Sequence, residues 1–366
     1  MAIEKITIQQ FHQLANKHPV IDVRSPGEYL HAHIPGAYSL PLFTDEERKV
    51  VGTAYKQQSK ETAIKKGLQY FGGKMAGMIE EAEKIVEAYS RKVSEESMPK
   101  TVIVHCWRGG MRSAGIAWLL DLYGFKVYTL IGGYKSFRRW CNAQFNKEYP
   151  FKIIGGYTGS GKTEILKELT DKGSQAIDLE SLAHHKGSAF GHLGQQEQPT
   201  QEMFENKLAI ALEACEGENC VWLEDESQRI GAVSIPGILY SYIQTRPVYF
   251  LEIPFEERLK YIVDGYGIFE QEELAERIIR IKKRLGGLET KKALEYLETG
   301  DMYSCFNILL KYYDKYYLKC LQLKKDKVLF IKSIFLEDTG AVKNADALLE
   351  IIIREEAIPV IPCDSA

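Results

Sequence analysis

The stretch His105-Cys-Trp-Arg-Gly-Gly-Met-Arg-Ser113 follows the apolar run Thr101-Val-Ile-Val104 and leads into Ala114-Gly-Ile-Ala-Trp-Leu-Leu120. That order reads as a strand, a tight glycine-containing turn and a helix, the repeating step of an α/β fold. A cysteine at the first position of such a turn lies over backbone N–H groups and a helix N-terminus. Both favour the thiolate and can bind an anion. Arg112 closes the turn and can pair bidentately with an oxyanion. Cysteine, five residues and arginine therefore describe a nucleophile above an anion cradle. The bland alternative is a buried cysteine at the end of a core strand.

The residues on either side sharpen the reading. Ile6 to Ala15 reads as a short strand entering a helix, and Pro19-Val-Ile-Asp-Val-Arg24 as a compact β-rich run. Asp22 and Arg24, at the end of that run, are expected to pair with each other and fix a loop. Ser25-Pro-Gly-Glu28 and His33-Ile-Pro-Gly-Ala37 follow, with Pro35 and Gly36 as turn chemistry. Downstream, Lys126-Val-Tyr-Thr-Leu-Ile131 is a strand and Gly132-Gly-Tyr-Lys135 a glycine turn. Together these segments resemble a rhodanese domain. The resemblance implies an α/β sandwich around a parallel sheet, with Cys106 carrying a chalcogen and Arg108 and Arg112 lining its loop. Ordinary sulfurtransferases of this type have four residues between Cys and Arg. The five found here resemble the related phosphatases and imply room for a tetrahedral phosphate group. Residues 43–100 exceed what the domain needs. Ile79, Ala82, Ile85 and Val86 have helical spacing there, so a helical insertion is expected, its charges forming a solvated face or an RNA contact.

A second anion site follows. Ser136 to Tyr149 reads as a linking helix and Phe151-Lys-Ile-Ile154 as a strand. Gly156-Tyr-Thr-Gly-Ser-Gly-Lys-Thr163 then fits G-x-x-x-x-G-K-[ST], with the helix Glu164 to Leu169 behind it. Gly156, Thr158, Gly159, Ser160, Gly161, Lys162 and Thr163 are the candidate phosphate ligands, and Thr163 the usual Mg²⁺ ligand. Cys220-Val-Trp-Leu-Glu-Asp-Glu226 stands where a strand ends in metal-facing acids. Asp225, or Glu224, could hold Mg²⁺ through water; acids that merely solvate a strand end are the alternative. His184, His185 and His192 lack a matching carboxylate or Cys spacing, so a phosphate- or base-contacting loop is preferred there to a metal site.

The C-terminal part is helical. Glu256 to Val263, Glu272 to Leu285 and Thr290 to Thr299 carry apolar residues at helical spacing. Arg277, Arg280, Lys282, Lys283 and Arg284 form a basic cluster. Tyr312, Tyr313, Tyr316 and Tyr317 interleave with Lys311, Lys315 and Lys319, a face that could stack bases or belong to the core. The tail after Pro359 is expected to be disordered. The fold class is thus α/β: a rhodanese-like domain over residues 1–145, then a P-loop NTPase-like domain over 150–366 with a helical C-terminal part.

With 366 residues, 45% hydrophobic and 27% charged, the chain can build two cores. Residues 1–150 hold 21 Lys+Arg against 15 Asp+Glu, and the remainder 26 against 35. A basic first half suits an anionic partner, although the near-neutral total decides nothing about nucleic acid. Seven scattered cysteines without a CxxC pair indicate neither a zinc site nor a disulfide framework. No secretory segment and no run of membrane-spanning length is present, so a cytoplasmic protein is expected.

The pairing of the two domains, with His184-His-Lys-Gly-Ser-Ala-Phe-Gly191, Gln198-Pro-Thr-Gln201, Glu224-Asp-Glu-Ser227 and Arg284-Leu-Gly-Gly287, resembles the bacterial tRNA 2-selenouridine synthases. The chain departs from that family's pattern around residues 184–186, where Asn-His-Arg is usual. The resemblance implies replacement of the C2 sulfur of a wobble 5-substituted 2-thiouridine by selenium from selenophosphate. It also implies an S-geranylated intermediate made from geranyl diphosphate, whose diphosphate the P-loop would hold. A selenophosphate-producing enzyme is a possible partner. Two other classes fit the motifs less fully: an ATP-dependent small-molecule kinase with an accessory rhodanese domain, and a non-catalytic RNA-binding module.

Overall fold

The computed structural model describes residues 3–94, 99–215, 220–324 and 328–356; the expected disordered tail lies outside the described residues. The chain divides into two compact units. The first comprises Met1–Gln144 together with Glu202–Ile210, the second Phe145–Gln201 and Ala211–Ala366.

The first unit is built on a five-stranded parallel sheet. Its strands are β1 (Glu4–Ile6), β2 (Val20–Asp22), β3 (Tyr38–Ser39), β4 (Thr101–His105) and β5 (Lys126–Leu130), in the order β1-β5-β4-β2-β3. All five residues of β4 are buried, as expected for a central parallel strand covered on both faces. This explains why Thr101–His105 reads as a continuous apolar run rather than an alternating one. Residues 45–93 form three helices, Asp45–Gln57, Lys60–Gly72 and Met75–Val93. Met78, Ala82, Ile85 and Val86 of the third face the sheet, joining Val102, Val104, Ile116 and Leu120 in one core. Thr44 caps the first of these helices, exchanging side-chain and backbone hydrogen bonds with Glu47.

The second unit has its own five-stranded parallel sheet. It contains β6 (Phe151–Gly156), β7 (Gln175–Ile177), β8 (Val221–Glu224), β11 (Val248–Glu252) and β12 (Ile331–Phe335), ordered β12-β11-β6-β8-β7. A short antiparallel hairpin, β9 (Arg229–Ile230) with β10 (Val233–Ser234), interrupts the sequence of strands. The α/β class expected from the motifs is therefore found in both units. One core, around Ile154, Ile165, Leu166, Trp222, Tyr249 and Leu251, backs the sheet. A second gathers Phe190, Leu259, Ile262, Leu274, Phe306 and Leu309 beneath the C-terminal helices. The P-loop leaves the C-terminal end of β6, the central strand, where parallel sheets place their ligand crevice.

Candidate active site

In the first unit, the Cys106 loop leaves the end of β4, and the helix Met111–Leu122 starts five residues after the cysteine. The thiol is buried. Its sulfur lies 3.2 Å from Ser113 Oγ and accepts from the Gly110 N–H at 3.3 Å. Ser113 Oγ also lies 3.1 Å from the Gly110 carbonyl, so its one proton serves either the carbonyl or the sulfur. Burial alone would raise the thiol pKa. The Ser113 hydroxyl and the backbone N–H groups of Ser113, Gly110 and Arg108 outweigh it and hold the pKa below the ordinary value. Hydrogen-bond donors at a helix start are the physical route to a reactive thiolate.

The loop rests on the glycine turn after β5. Tyr134 N–H donates to the Cys106 carbonyl and Lys135 N–H to that of Trp107, each at 2.9 Å. Gly133 has φ +55°, and a Cβ there would stand 2.2 Å from the Cys106 carbonyl oxygen. Only glycine lets the two turns pack so closely. Sequence reading found this turn but not its task, because nothing local marks which loop a glycine pair supports.

The two arginines of the loop differ. Arg108 is exposed, and its side chain makes no hydrogen bond or ion pair among the described residues. Arg112 is engaged: its guanidinium donates to Glu28 Oε2 at 2.6 Å and to Oε1 at 3.3 Å. Glu28 also accepts from the Ser25 N–H and hydroxyl and lies near Arg48. Arg112 thus ties the cysteine loop to the helix Pro26–His31. Asp22 and Arg24 form a fully buried pair, as their place in the sequence suggested. Arg24 also donates to the Ala32 carbonyl at 2.7 Å and lies 3.8 Å from the centre of the Tyr134 ring. Beside the loop, a pocket of about 340 Å³ is lined by Arg24, Glu28, His31, Arg48, Trp107 and Glu202. It is wide enough for a small anion or a base to approach the cysteine loop.

In the second unit, Lys162 opens the helix Lys162–Asp171, and its ammonium donates to the Gly156 carbonyl at 3.3 Å. The P-loop is braced from behind. Arg258, 3% exposed, donates to the carbonyls of Thr158 (3.0 Å) and Ile253 (3.1 Å) and pairs bidentately with Asp314. Tyr317 accepts from the Gly156 N–H at 3.4 Å and donates to Asp225 Oδ2 at 2.6 Å. The tyrosine stripe thus divides. Tyr312 and Tyr313 pack on the core, Tyr317 serves the P-loop, and Tyr316 stays half exposed beneath Arg284. An apolar seam begins at Thr158 and continues along Phe190, Ile262, Tyr266, Phe306 and Tyr313.

The acids behave differently from one another. Asp225 is held by Tyr317, whereas Glu180, Glu224 and Glu226 bring carboxylate oxygens within 4.8 Å of one another. Thr163 Oγ1 donates to Glu180 Oε2 at 3.3 Å. Glu226 lay within the acidic strand end, but Glu180 carried no sequence signal of its own; the two meet because β7 and β8 are adjacent strands. One motif outside the P-loop, Gln198-Pro-Thr-Gln201, proves to be scaffolding. Gln198 donates to the carbonyls of Ala183 and Ile230 and accepts from the Ala232 N–H, and Gln201 bonds both backbone groups of Ser234. The two side chains act as a strand edge for the β9–β10 hairpin.

Comparison with known proteins agrees with this arrangement. The family model described as a rhodanese-like domain matches residues 7–139, and that described as the tRNA 2-selenouridine synthase AAA domain matches residues 149–335. A tRNA 2-selenouridine synthase from Shewanella woodyi is 33% identical over 362 residues, covering 90% of this chain and 94% of the relative. The chain belongs to this family. Another member, from a Sulfurovum species, is 34% identical over 350 residues, covering 86% of this chain and 92% of its own. Among solved structures, the N-terminal domain of a putative ATP/GTP binding protein from Clostridium difficile 630 is 36% identical over 38% of this chain and 98% of that one, with a TM-score of 0.33. Selenouridine synthases are tRNA-modifying enzymes, and both anion sites described above fall inside the matched domains. No helix among the described residues is long and apolar enough to cross a membrane.

Proposed function

We propose that this synthase replaces the C2 sulfur of a wobble 5-substituted 2-thiouridine in tRNA with selenium from selenophosphate, through an S-geranylated intermediate. The observation that carries the reading is the join between phosphate loop and apolar seam: Thr158 belongs to both. In a nucleoside triphosphate a polar ribose follows the phosphates, a poorer match to a seam of Phe, Ile, Leu and Tyr. An allylic diphosphate has both the anionic head and the hydrocarbon tail. The seam is narrow, about 20 Å³, so seating a ten-carbon chain would require its lining side chains to turn aside.

The chemistry then falls into two displacements. In the first, the thiocarbonyl sulfur attacks the allylic carbon of geranyl diphosphate. The carbon–oxygen bond breaks and the diphosphate leaves with both electrons, held by the N–H groups of Gly159 and Gly161 and by Lys162. In the second, the selenium of selenophosphate attacks C2 and the S-alkyl group departs as geranyl thiol, a far better leaving group than the parent sulfur. Water then attacks phosphorus, the P–Se bond breaks with its electrons staying on selenium, and phosphate is released. Cys106, with Arg108 exposed at its loop and Arg112 holding that loop to Glu28, receives or orients selenophosphate. The donor would be supplied by a selenophosphate-producing enzyme. Thr163 with the neighbouring carboxylates offers an all-oxygen donor set, which fits Mg²⁺. Bound there, the ion would stabilise the negative charge that gathers on the leaving diphosphate.

The test is mass spectrometry of tRNA nucleosides after incubation with geranyl diphosphate and selenophosphate, separately and together. Geranyl diphosphate alone is expected to yield the S-geranyl nucleoside, and both substrates the selenonucleoside. Unchanged 2-thiouridine in every tube rejects the reading. Lys162→Ala should lose the geranyl step and Cys106→Ala the selenium step; the reverse pattern rejects this division of labour.

A further inference from the structure

We propose that Glu180, Glu224 and Glu226 form a resident divalent-cation site, which takes up Mg²⁺ or Mn²⁺ before any phosphate ligand arrives. The ordinary arrangement at a P-loop is different: there the metal arrives with the nucleotide and is held mainly by its phosphates, one Thr or Ser hydroxyl and water. Here three protein carboxylates converge without a ligand.

Three observations support the site. Glu224 ends the central-sheet strand β8, is 1% exposed, and neither of its carboxylate oxygens has a hydrogen-bond partner among the described residues. A buried, unpartnered carboxylate is costly unless a cation or a proton meets it. Second, the loop His184–Ser188 closes directly over the group. Gly187, at φ +61°, would place a Cβ 2.7 Å from Glu226 Oε2 and 2.9 Å from Glu180 Oε1. The glycine lets the backbone lie against the carboxylates. Third, acids outnumber the cation beside them. Lys162 acts on all three glutamates, but Asp178 also bears on Glu224 and Asp225 on Glu226. Carboxyl groups crowded in this way either take up protons or share a bound cation.

The crowding gives the site a role. A diphosphate entering the P-loop would meet Lys162 already facing three carboxylates, and would be repelled by their excess. With the cation in place Lys162 is free to serve the ligand. The role rests on the P-loop receiving a diphosphate, as proposed above, but metal uptake itself does not, so the two readings can fail separately.

The experiment is a titration of the full-length, metal-free protein with Mn²⁺, without tRNA or diphosphate, followed by the electron paramagnetic resonance signal of the free ion. One Mn²⁺ per chain, displaced by excess Mg²⁺, is expected, together with a rise in the thermal midpoint. Glu180→Gln and Glu226→Gln should each weaken Mn²⁺ binding by at least the roughly tenfold typical of altered metal-site partners. Both should also raise the metal-free midpoint, because they relieve like-charge repulsion; that rise shows the variants fold. Mn²⁺ that stays free, binds only when diphosphate is present, or binds the variants as tightly as the parent overturns the proposal.

Discussion

At the scale of single residues, the Cys106 thiol is tuned by one neighbour that can be removed cleanly. Ser113→Ala deletes the hydroxyl beside the sulfur and leaves burial, which raises a thiol pKa. Because the parent thiolate is lost as pH falls through a depressed pKa, the variant should lose reactivity toward a small alkylating reagent at a higher pH. Rates measured across pH in both proteins check this, and coincident profiles would remove Ser113 from the account. Arg24 is a different case. Its guanidinium is buried against Asp22, so Arg24→Ala strands a carboxylate in the core and should destabilise the first unit by about 3–5 kcal/mol, read from denaturant midpoints. Glu28 adds a pH limb. Burial opposes ionisation there, but the hydrogen bond and charge of Arg112, the Ser25 N–H and Arg48 outweigh it and lower the pKa. Its contribution is present above the ordinary carboxylate range and disappears as pH drops through the depressed value. Glu28→Gln should therefore lose less stability on acidification than the parent. Cys106, Arg112 and the Asp22–Arg24 pair were legible in the sequence as residue types at telling spacings. That Glu28 would occupy Arg112 was not, since 84 residues separate the two.

At the scale of elements, the phosphate loop depends on two helices that lie far from it in sequence. Phe255–Tyr266 supplies Arg258, and Met302–Lys324 supplies Asp314 and Tyr317. Arg258→Ala removes the donor to the Thr158 carbonyl and leaves Asp314 without its bidentate partner. Weaker binding of inorganic diphosphate, measured by calorimetry, is expected, while the reactivity of Cys106 in the other unit should not change. Helical periodicity announced the first of these helices, and a tyrosine stripe marked the second, but neither could say which tyrosine of the four turns inward. Spacing assigns residues to a face, whereas the partner across that face comes from another part of the chain. The same limit explains why Asp225 stood out as the metal-facing acid. It occupies the expected place after an apolar strand, but Tyr317 arrives from 92 residues away to bind it.

At the scale of the whole molecule, the chain's uneven charge gives a prediction about tRNA. Counterion release should make tRNA affinity fall steeply and linearly on a log–log plot against salt, and filter binding over a salt series checks it. The division into units has another consequence. Glu202–Ile210 belongs to the first unit although nearly sixty residues of the second precede it. Asn206 donates to the His33 carbonyl and to Tyr134, each at 2.8 Å, and accepts from Arg138; Tyr134 in turn donates to Glu202. A ribosome makes the chain from its N-terminus, and domains ordinarily fold in that order. Here residues 1–144 emerge without the segment that completes them. Tyr134, whose N–H holds the Cys106 carbonyl, waits for Asn206 until the phosphate loop has already left the exit tunnel. The thiol that comes first in the gene is thus among the last parts of the newborn protein to be secured.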